Sequence, residues 1–154
     1  MKVLEVVDAS ERSRVCEEIL RTVPEWFGIE SATRAYIDGI VELPTFVALA
    51  DDGRELGFLA LKQHGDRAAE IWVMAVRPDH HRSGVGRRLV ETAERFLTGR
   101  SVEYLQVKTL GPSDPDQGYA RTREFYAAMG FVPLEELHGL WESNPCLLLV
   151  KRLG

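Results

Sequence analysis

Val76-Arg77-Pro78-Asp79-His80-His81-Arg82-Ser83-Gly84-Val85-Gly86-Arg87-Arg88-Leu89 joins three structural signals in one short stretch. Before it lies the apolar run Ile71 to Val76, which reads as a buried strand. After it, Val85, Leu89, Ala93, Phe96 and Leu97 recur at helical spacing. A strand, a turn with two glycines and then a helix make an anion site from backbone alone. The first N–H groups of a helix lack internal partners and carry the positive end of its dipole. Glycines at 84 and 86 would let the main chain approach phosphate oxygens without a Cβ in the way. The plainer alternative is a tight turn with no ligand.

The missing residues narrow the ligand. A Walker-type loop ends Gly-Lys-Ser/Thr, but Gly86 is followed by Arg87-Arg88. A dinucleotide fingerprint needs a third glycine where Leu89 stands. The remaining pattern resembles the acetyl-CoA pyrophosphate loop of the GNAT N-acetyltransferase superfamily: Gln or Arg, two residues, Gly, any residue, Gly or Ala. His81 occupies the Gln/Arg position, a departure that leaves backbone binding intact. The resemblance implies that the segment His81, Arg82, Ser83, Gly84, Val85, Gly86 and Arg87 holds the cofactor, its amides pointing at the pyrophosphate.

A later stretch points the same way. Tyr119 to Met129 reads as a helix with a stripe at Tyr119, Thr122, Phe125/Tyr126 and Met129, stopped by Gly130. Within it, Phe125-Tyr126-Ala127-Ala128-Met129-Gly130-Phe131 is similar to the superfamily's Phe/Leu-Tyr pair, three residues, Gly-Phe. On that resemblance Tyr126 faces the thioester sulfur; taken alone, it is an ordinary amphipathic-helix residue.

Composition bounds the rest. A chain of 154 residues with 45% hydrophobic and 28% charged content suits one globular domain over 1–154. A formal charge of −5 gives no support for generic binding to nucleic acid or an anionic membrane. No apolar run approaches the ~20 residues of a membrane span. Glu5 and Asp8 fall where a signal peptide would be apolar, so the expected location is the cytoplasm. Cys16 and Cys146 form no metal-spaced cluster and read as free buried thiols. His80 and His81 are adjacent and point apart, so no metal is expected.

Along the chain, Val3–Val7 reads as a strand. Ser10 caps a helix through Val15, Ile19, Leu20 and Val23 that ends at Pro24, and a second helix runs from after Ser31 to before Pro44. Thr45–Ala50 and Glu55–Lys62 make a hairpin covered on both faces. Ala69–Val76, the glycine loop and its helix come next. Ser101–Leu110 is a strand, Gly111–Gly118 a loop, and Phe131–Leu137 and Cys146–Leu153 are final strands around a Leu140–Pro145 connection. This order resembles the GNAT layout. The implied fold class is α/β (α+β), a mixed central sheet of about six or seven strands flanked by about four helices.

The chemistry follows from need. An alkyl amine has a pKa near 10, so at pH 7.5 only about one molecule in several hundred is neutral and nucleophilic. Glu70 is the candidate base, on a strand Ala69-Glu70-Ile71-Trp72-Val73-Met74-Ala75-Val76 similar to the one bearing a glutamate base in several GNAT members. It would act through a water. The structural alternative is a strand-end carboxylate in solvent, or one paired with Arg67 or Lys62. A phenol near 10 and a thiol near 8.5 make full proton transfer from Tyr126 to the leaving sulfur uphill by ~2 kcal/mol. Tyr126 is better described as a hydrogen-bond donor that gives its proton late. The resemblance also implies that main-chain groups of Met74 and Val76 meet the pantetheine arm.

The resemblance implies an acceptor that is a primary amine of a small molecule or peptide. Trp26 and Phe27, in the turn Pro24–Glu30, and Trp141, in the loop Leu140–Glu142, are candidates for its pocket. Glu25, Glu30 and Glu142 could attract its charge, with Glu135, Glu136 and His138 beyond the Gly-Phe turn. Each is otherwise a plain core aromatic or a solvated carboxylate. Arg88 reaches either a CoA phosphate or only solvent. No exposed strand demands a homodimer, although a homodimer is compatible with the chain. Two alternatives stand beside an acetyltransferase: a non-enzymatic acyl-CoA-binding module, and an acyltransferase for another acyl-CoA or acceptor.

Overall fold

β-branched runs and capped amphipathic segments alternate as β1 (Lys2–Val6), α1 (Ala9–Leu20), α2 (Glu30–Gly39), β2 (Thr45–Leu49), β3 (Glu55–Gln63) and β4 (Ala68–Val76). They continue as α3 (Val85–Thr98), β5 (Tyr104–Leu110), α4 (Gln117–Ala128), β6 (Val132–Trp141) and β7 (Asn144–Arg152). The structure, a computed structural model, describes residues 1–154. The strands form one seven-stranded sheet in the order β1-β2-β3-β4-β5-β7-β6. It is mixed: β4 and β5 run parallel, while β1–β2, β2–β3, β5–β7 and β6–β7 are antiparallel. Two compact units divide the chain: residues 1–62 with 72–96, and residues 63–71 with 97–154.

In the first unit, α1 and α2 exist because their apolar residues share a stripe. Val15, Cys16, Ile19, Leu20 and Ile37 pack with Ile40 against Val47, Phe58, Ala60, Val73 and Ala75 of the sheet. Each large aliphatic contributes about 1.5–3 kcal/mol on burial, which short helices of middling propensity need. β2 and β3 are buried nearly throughout, as their continuous apolar runs predict. A Cβ on Gly57 would stand 2.9 Å from the Ala75 carbonyl oxygen, so glycine permits the close approach of β3 to β4.

In the second unit, β5 alternates. Leu105, Val107 and Thr109 are buried, while Gln106, Lys108 and Leu110 are half-buried. α4 buries Tyr126, whose ring meets Phe125 at 5.2 Å and Phe131 at 5.5 Å between centroids. Gly130, at φ +95°, turns the chain out of that helix.

Several boundaries differ from expectation, each for a local reason. α1 is capped by Asp8, whose Oδ1 accepts from the Glu11 amide at 2.9 Å; Ser10 lies inside the helix and donates to the same carboxylate. The helix ends at Leu20, with Val23 in the following turn. α2 begins at Glu30, ahead of Ser31, and gives way at Ile40–Glu42 to a 3₁₀ turn. β5 starts at Tyr104, because Ser101 sits at φ +63°, outside the strand region. α4 starts inside the expected loop, where Asp116 Oδ1 accepts from the Tyr119 amide at 3.0 Å. The Leu140–Pro145 connection shrinks to Glu142-Ser143, since Trp141 pairs with Asn144 and both flanking strands run on. β6 is an exposed strand after all, at the sheet's end, presenting Val132, Leu134 and Leu140 to solvent.

Candidate active site

The loop between β4 and α3 is held by hydrogen bonds of its own and to β3. Pro78–His80 is a 3₁₀ turn with proline at its start, where the missing N–H costs nothing. Arg82 and Gly84 then adopt φ +64° and +85°. The Ser83 hydroxyl donates to the His80 carbonyl. His81 explains its own departure from the expected Gln or Arg. Its Nε2 lies 2.7 Å from the Val76 carbonyl oxygen, and its ring meets Trp26 edge-on at 5.6 Å between centroids. A carbonyl can only accept, so Nε2 carries the hydrogen. The ring thus ties the loop back to the strand it leaves.

The first helical bond of α3 runs from the Arg88 amide to the Gly84 carbonyl, at 3.1 Å. The amides of Val85, Gly86 and Arg87 stand ahead of it and have no partner within the helix. A Cβ built on Gly84 would meet no protein atom within 4 Å. Arg82, Ser83 and Arg87 are exposed around this opening, as is Arg88. The predicted cofactor residues from His81 to Arg87 therefore lie in one continuous stretch, in which the His81 amide donates to the Pro78 carbonyl at 3.3 Å and the amides of Val85, Gly86 and Arg87 have no partner within the helix.

The aromatic residues near α2 form a row. Phe27 meets Tyr36 at 5.8 Å, and Tyr36 meets Trp72 at 4.9 Å, both edge-to-face. Trp26 and Phe27 also pack on the α1–α2 core. Trp26 is thus a neighbour of the glycine loop, and Phe27 is the one that leads into the row. The sequence places Tyr36 on the second helix; its contact with Trp72 is seen only in the fold. Met74 and Val76 are half-buried on β4, and the Val76 carbonyl is already engaged by His81.

In the second unit, Tyr126 is buried on α4, and burial first, then Tyr119, pushes its phenol up. Trp141 stands at the tip of the β6–β7 hairpin as the last residue of β6, not in a Leu140–Glu142 loop. Beside it along β6, His138 Nε2 lies 3.4 Å from Glu136, whose carboxyl is held low by the Ser113 amide.

Glu70 is neither a solvated strand end nor a partner of Arg67 or Lys62. It is the third residue of β4 and 6% exposed. His64 Nε2 lies 2.7 Å from its Oε1, and Lys108 Nζ lies 3.1 Å from its Oε2. Arg67 pairs instead with Glu103. Neither His64 nor Lys108 was foreseen. Register places them: Glu70 pairs with Gln106, so Lys108 is the next residue of β5 on that side, and the turn after β3 returns His64 to β4. The β4–β5 ladder runs from Ala68–Tyr104 to Ile71–Val107, so the trio sits by its last rung. Cys146 is close enough for Lys108 and Glu70 to act on its thiol, which burial pushes up.

Comparison with known proteins identifies the family and the fold. The family model described as "Acetyltransferase (GNAT) domain" matches residues 42–133. No curated relative matches the sequence. Among solved structures, the aminoglycoside 6'-N-acetyltransferase from Enterococcus faecium has a TM-score of 0.75 at 21% identity, covering 99% of this chain and 97% of that one. The ribosomal-protein-S18-alanine N-acetyltransferase from Escherichia coli gives 0.77 at 16%, covering 99% and 94%. A GNAT family acetyltransferase from Elizabethkingia anophelis, solved with acetyl-CoA bound, gives 0.70 at 15%, covering 89% and 90%. With the motif-bearing half of its sequence inside the family model and the whole fold shared with these enzymes, the chain belongs to the GNAT acetyltransferase family.

Proposed function

We propose that the protein transfers the acetyl group of acetyl-CoA to a primary amine of a small molecule or peptide, by direct attack within a ternary complex. The carrying observation is the turn at residues 81–87, with its unpaired amides at the head of α3 and open space over Gly84. That opening suits a pyrophosphate, and Arg82, Arg87 and Arg88 add positive charge around it. The bound acetyl-CoA of the Elizabethkingia relative supports the same cofactor.

Direct attack is favoured over an acyl-enzyme because neither cysteine is a ready nucleophile. Burial pushes the Cys16 thiol up to about 12 and raises that of Cys146. The same free thiols support a reducing, cytoplasmic setting. The acceptor ammonium first loses a proton toward the Glu70 cluster. Its nitrogen lone pair then attacks the thioester carbon, whose developing oxyanion the Met74 main chain would meet. The C–S bond breaks, and the second amine proton passes to the thiolate. Tyr126 assists that departure as a hydrogen-bond donor, since burial makes complete release of its proton more uphill than for a free phenol. Phe27, Tyr36 and Trp72 offer aromatic edges and faces that suit the acceptor's cationic end.

Isothermal titration calorimetry with acetyl-CoA, CoA and ATP tests the cofactor, with Gly84→Glu as the control. Acetyl-CoA is expected to bind in the micromolar range and ATP to give no heat. The glutamate puts bulk and negative charge where the pyrophosphate lies and should weaken binding at least ~100-fold, about 2.7 kcal/mol. Absence of binding by either CoA species would overturn the assignment. A primary-amine panel read by thiol release then identifies the acceptor class.

A further inference from the structure

Glu70 is badly placed to take a proton from a visiting amine by itself. Its side chain keeps 8% of its surface, and each oxygen is engaged, one by His64 and one by Lys108. The His64 ring beside it is 37% exposed. An ionised carboxylate has no hydrogen to give, so the nitrogen facing it, Nε2, is the donor. In the neutral ring the other nitrogen, Nδ1, is then a bare lone pair. A buried carboxylate that fixes a partly exposed imidazole in one tautomer is the arrangement by which histidine serves as a base near neutral pH.

We propose that His64 is the base that removes the acceptor's proton, with Glu70 as the positioning residue that holds its tautomer and Lys108 as the cation balancing that carboxylate. This rests on the acetyl-transfer reading above and assigns the proton within it. The turn carrying His64 is fixed from both sides: the His64 and Gly65 amides donate to the Ala68 carbonyl at 3.0 and 3.3 Å, and Arg67 is held by Glu103. The charged or titratable groups that act on the pair are Lys108 from β5 and the Cys146 thiol from β7; Asp66 and Arg67 lie on the same turn, Arg67 paired with Glu103.

The step balances simply. The ammonium N–H bond breaks and its proton moves, directly or through one water, to Nδ1. The ring becomes an imidazolium with both nitrogens protonated, Nε2–H still on Glu70. After acetyl transfer the imidazolium returns that proton to solvent. The second amine proton ends on the CoA thiol, so one proton is released per turnover.

The test is the pH profile of kcat/KM for thiol release from acetyl-CoA, with spermidine, benzylamine and a lysyl peptide as probe amines. His64→Gln should lower the rate about 100-fold at pH 7, within the range for loss of a general base. The deficit should shrink to within about threefold near pH 9.5, where solution itself supplies neutral amine. Calorimetry should show acetyl-CoA affinity unchanged, so that failure of the cofactor reading, visible as no binding by the native protein, is told apart from failure of this one. A deficit equal at all pH values, or no deficit, would overturn the role of His64. Imidazole ¹⁵N shifts, recorded where the ring is neutral, need no acceptor: Nε2–H with bare Nδ1 is expected, and Nδ1–H would sink the proposal.

Discussion

The glycine loop at the end of β4 and the carboxylate cluster near its start are built by opposite means. The loop is mainly local: His81 and Ser83 bond back to Val76 and His80, only Arg77 reaches Leu56 and Glu55 on β3, and the groups proposed to bind are main-chain amides without partners in the helix. The cluster is assembled from afar, with Glu70 reaching a partner 6 residues back and another 38 residues on. If the amides are the binding groups, side chains can vary around the first with little loss. In the second every side chain is a partner, and removing one strands the others. On the reading proposed above, backbone geometry holds the cofactor and side chains carry the proton chemistry.

The largest effect should come from the side-chain half. Tyr126→Phe deletes one hydroxyl while keeping the ring contacts with Phe125 and Phe131. Steady-state kinetics should show kcat down by about one to three orders of magnitude with KM for acetyl-CoA little changed. The pH dependence carries a sign. Burial raises the phenol, so it stays protonated beyond the usual phenol range, and its contribution should not decline between about pH 8 and 10. The stability linked to it is likewise present below the ordinary phenol pKa and lost only as pH rises toward the shifted one. Unchanged turnover in the phenylalanine variant would leave the side-chain half without its leaving-group donor.

Next in size is the cost of stranding Lys108 and His64. Glu70→Leu leaves the Lys108 cation and the His64 ring without their carboxylate, and urea unfolding should show a loss of about 1–3 kcal/mol, below the fully buried range because both partners reach solvent. Glu70→Leu with Lys108→Met should recover at least half of that, since the pair vanishes together. If the double variant is no more stable than the single, the cluster is not coupled in the way the distances imply.

That contrast also governs what the sequence could disclose. β4, the loop, α3 and the Tyr126–Gly130 helix end are runs whose patterns are complete within a few residues, and they lie where the patterns put them. Ser10 and Asp8 are both good caps two residues apart, and which one terminates the helix depends on backbone angles that no pattern states. The β6–β7 turn hides for a similar reason. Glu142-Ser143 lacks the Asn-Gly or Asp-Gly of a tight hairpin, and the bulge between Leu137 and Trp141, with Gly139 at φ +120°, lets the strands continue regardless. Lys108 becomes a partner of Glu70 only through the parallel register Glu70–Gln106, and a shift by one residue would turn it to the other face. Glu70 was visible as a carboxylate on a strand; its two partners were not.

The smallest effect is the most exacting check on the backbone half. His81 stands where the family usually has Gln or Arg, and its ring makes one hydrogen bond to Val76 and one edge contact with Trp26. Glutamine can donate the same bond from its amide but loses the aromatic contact, worth about 0.5–1.5 kcal/mol. His81→Gln should therefore lower stability by no more than about that amount. Its acetyl-CoA affinity, measured by the same calorimetry, should stay within about threefold, or 0.65 kcal/mol. A loss beyond about tenfold, 1.4 kcal/mol, would mean that the ring itself meets the cofactor. The loop would then owe its affinity to a side chain after all, and its contrast with the Glu70 cluster would fail at its most conservative substitution.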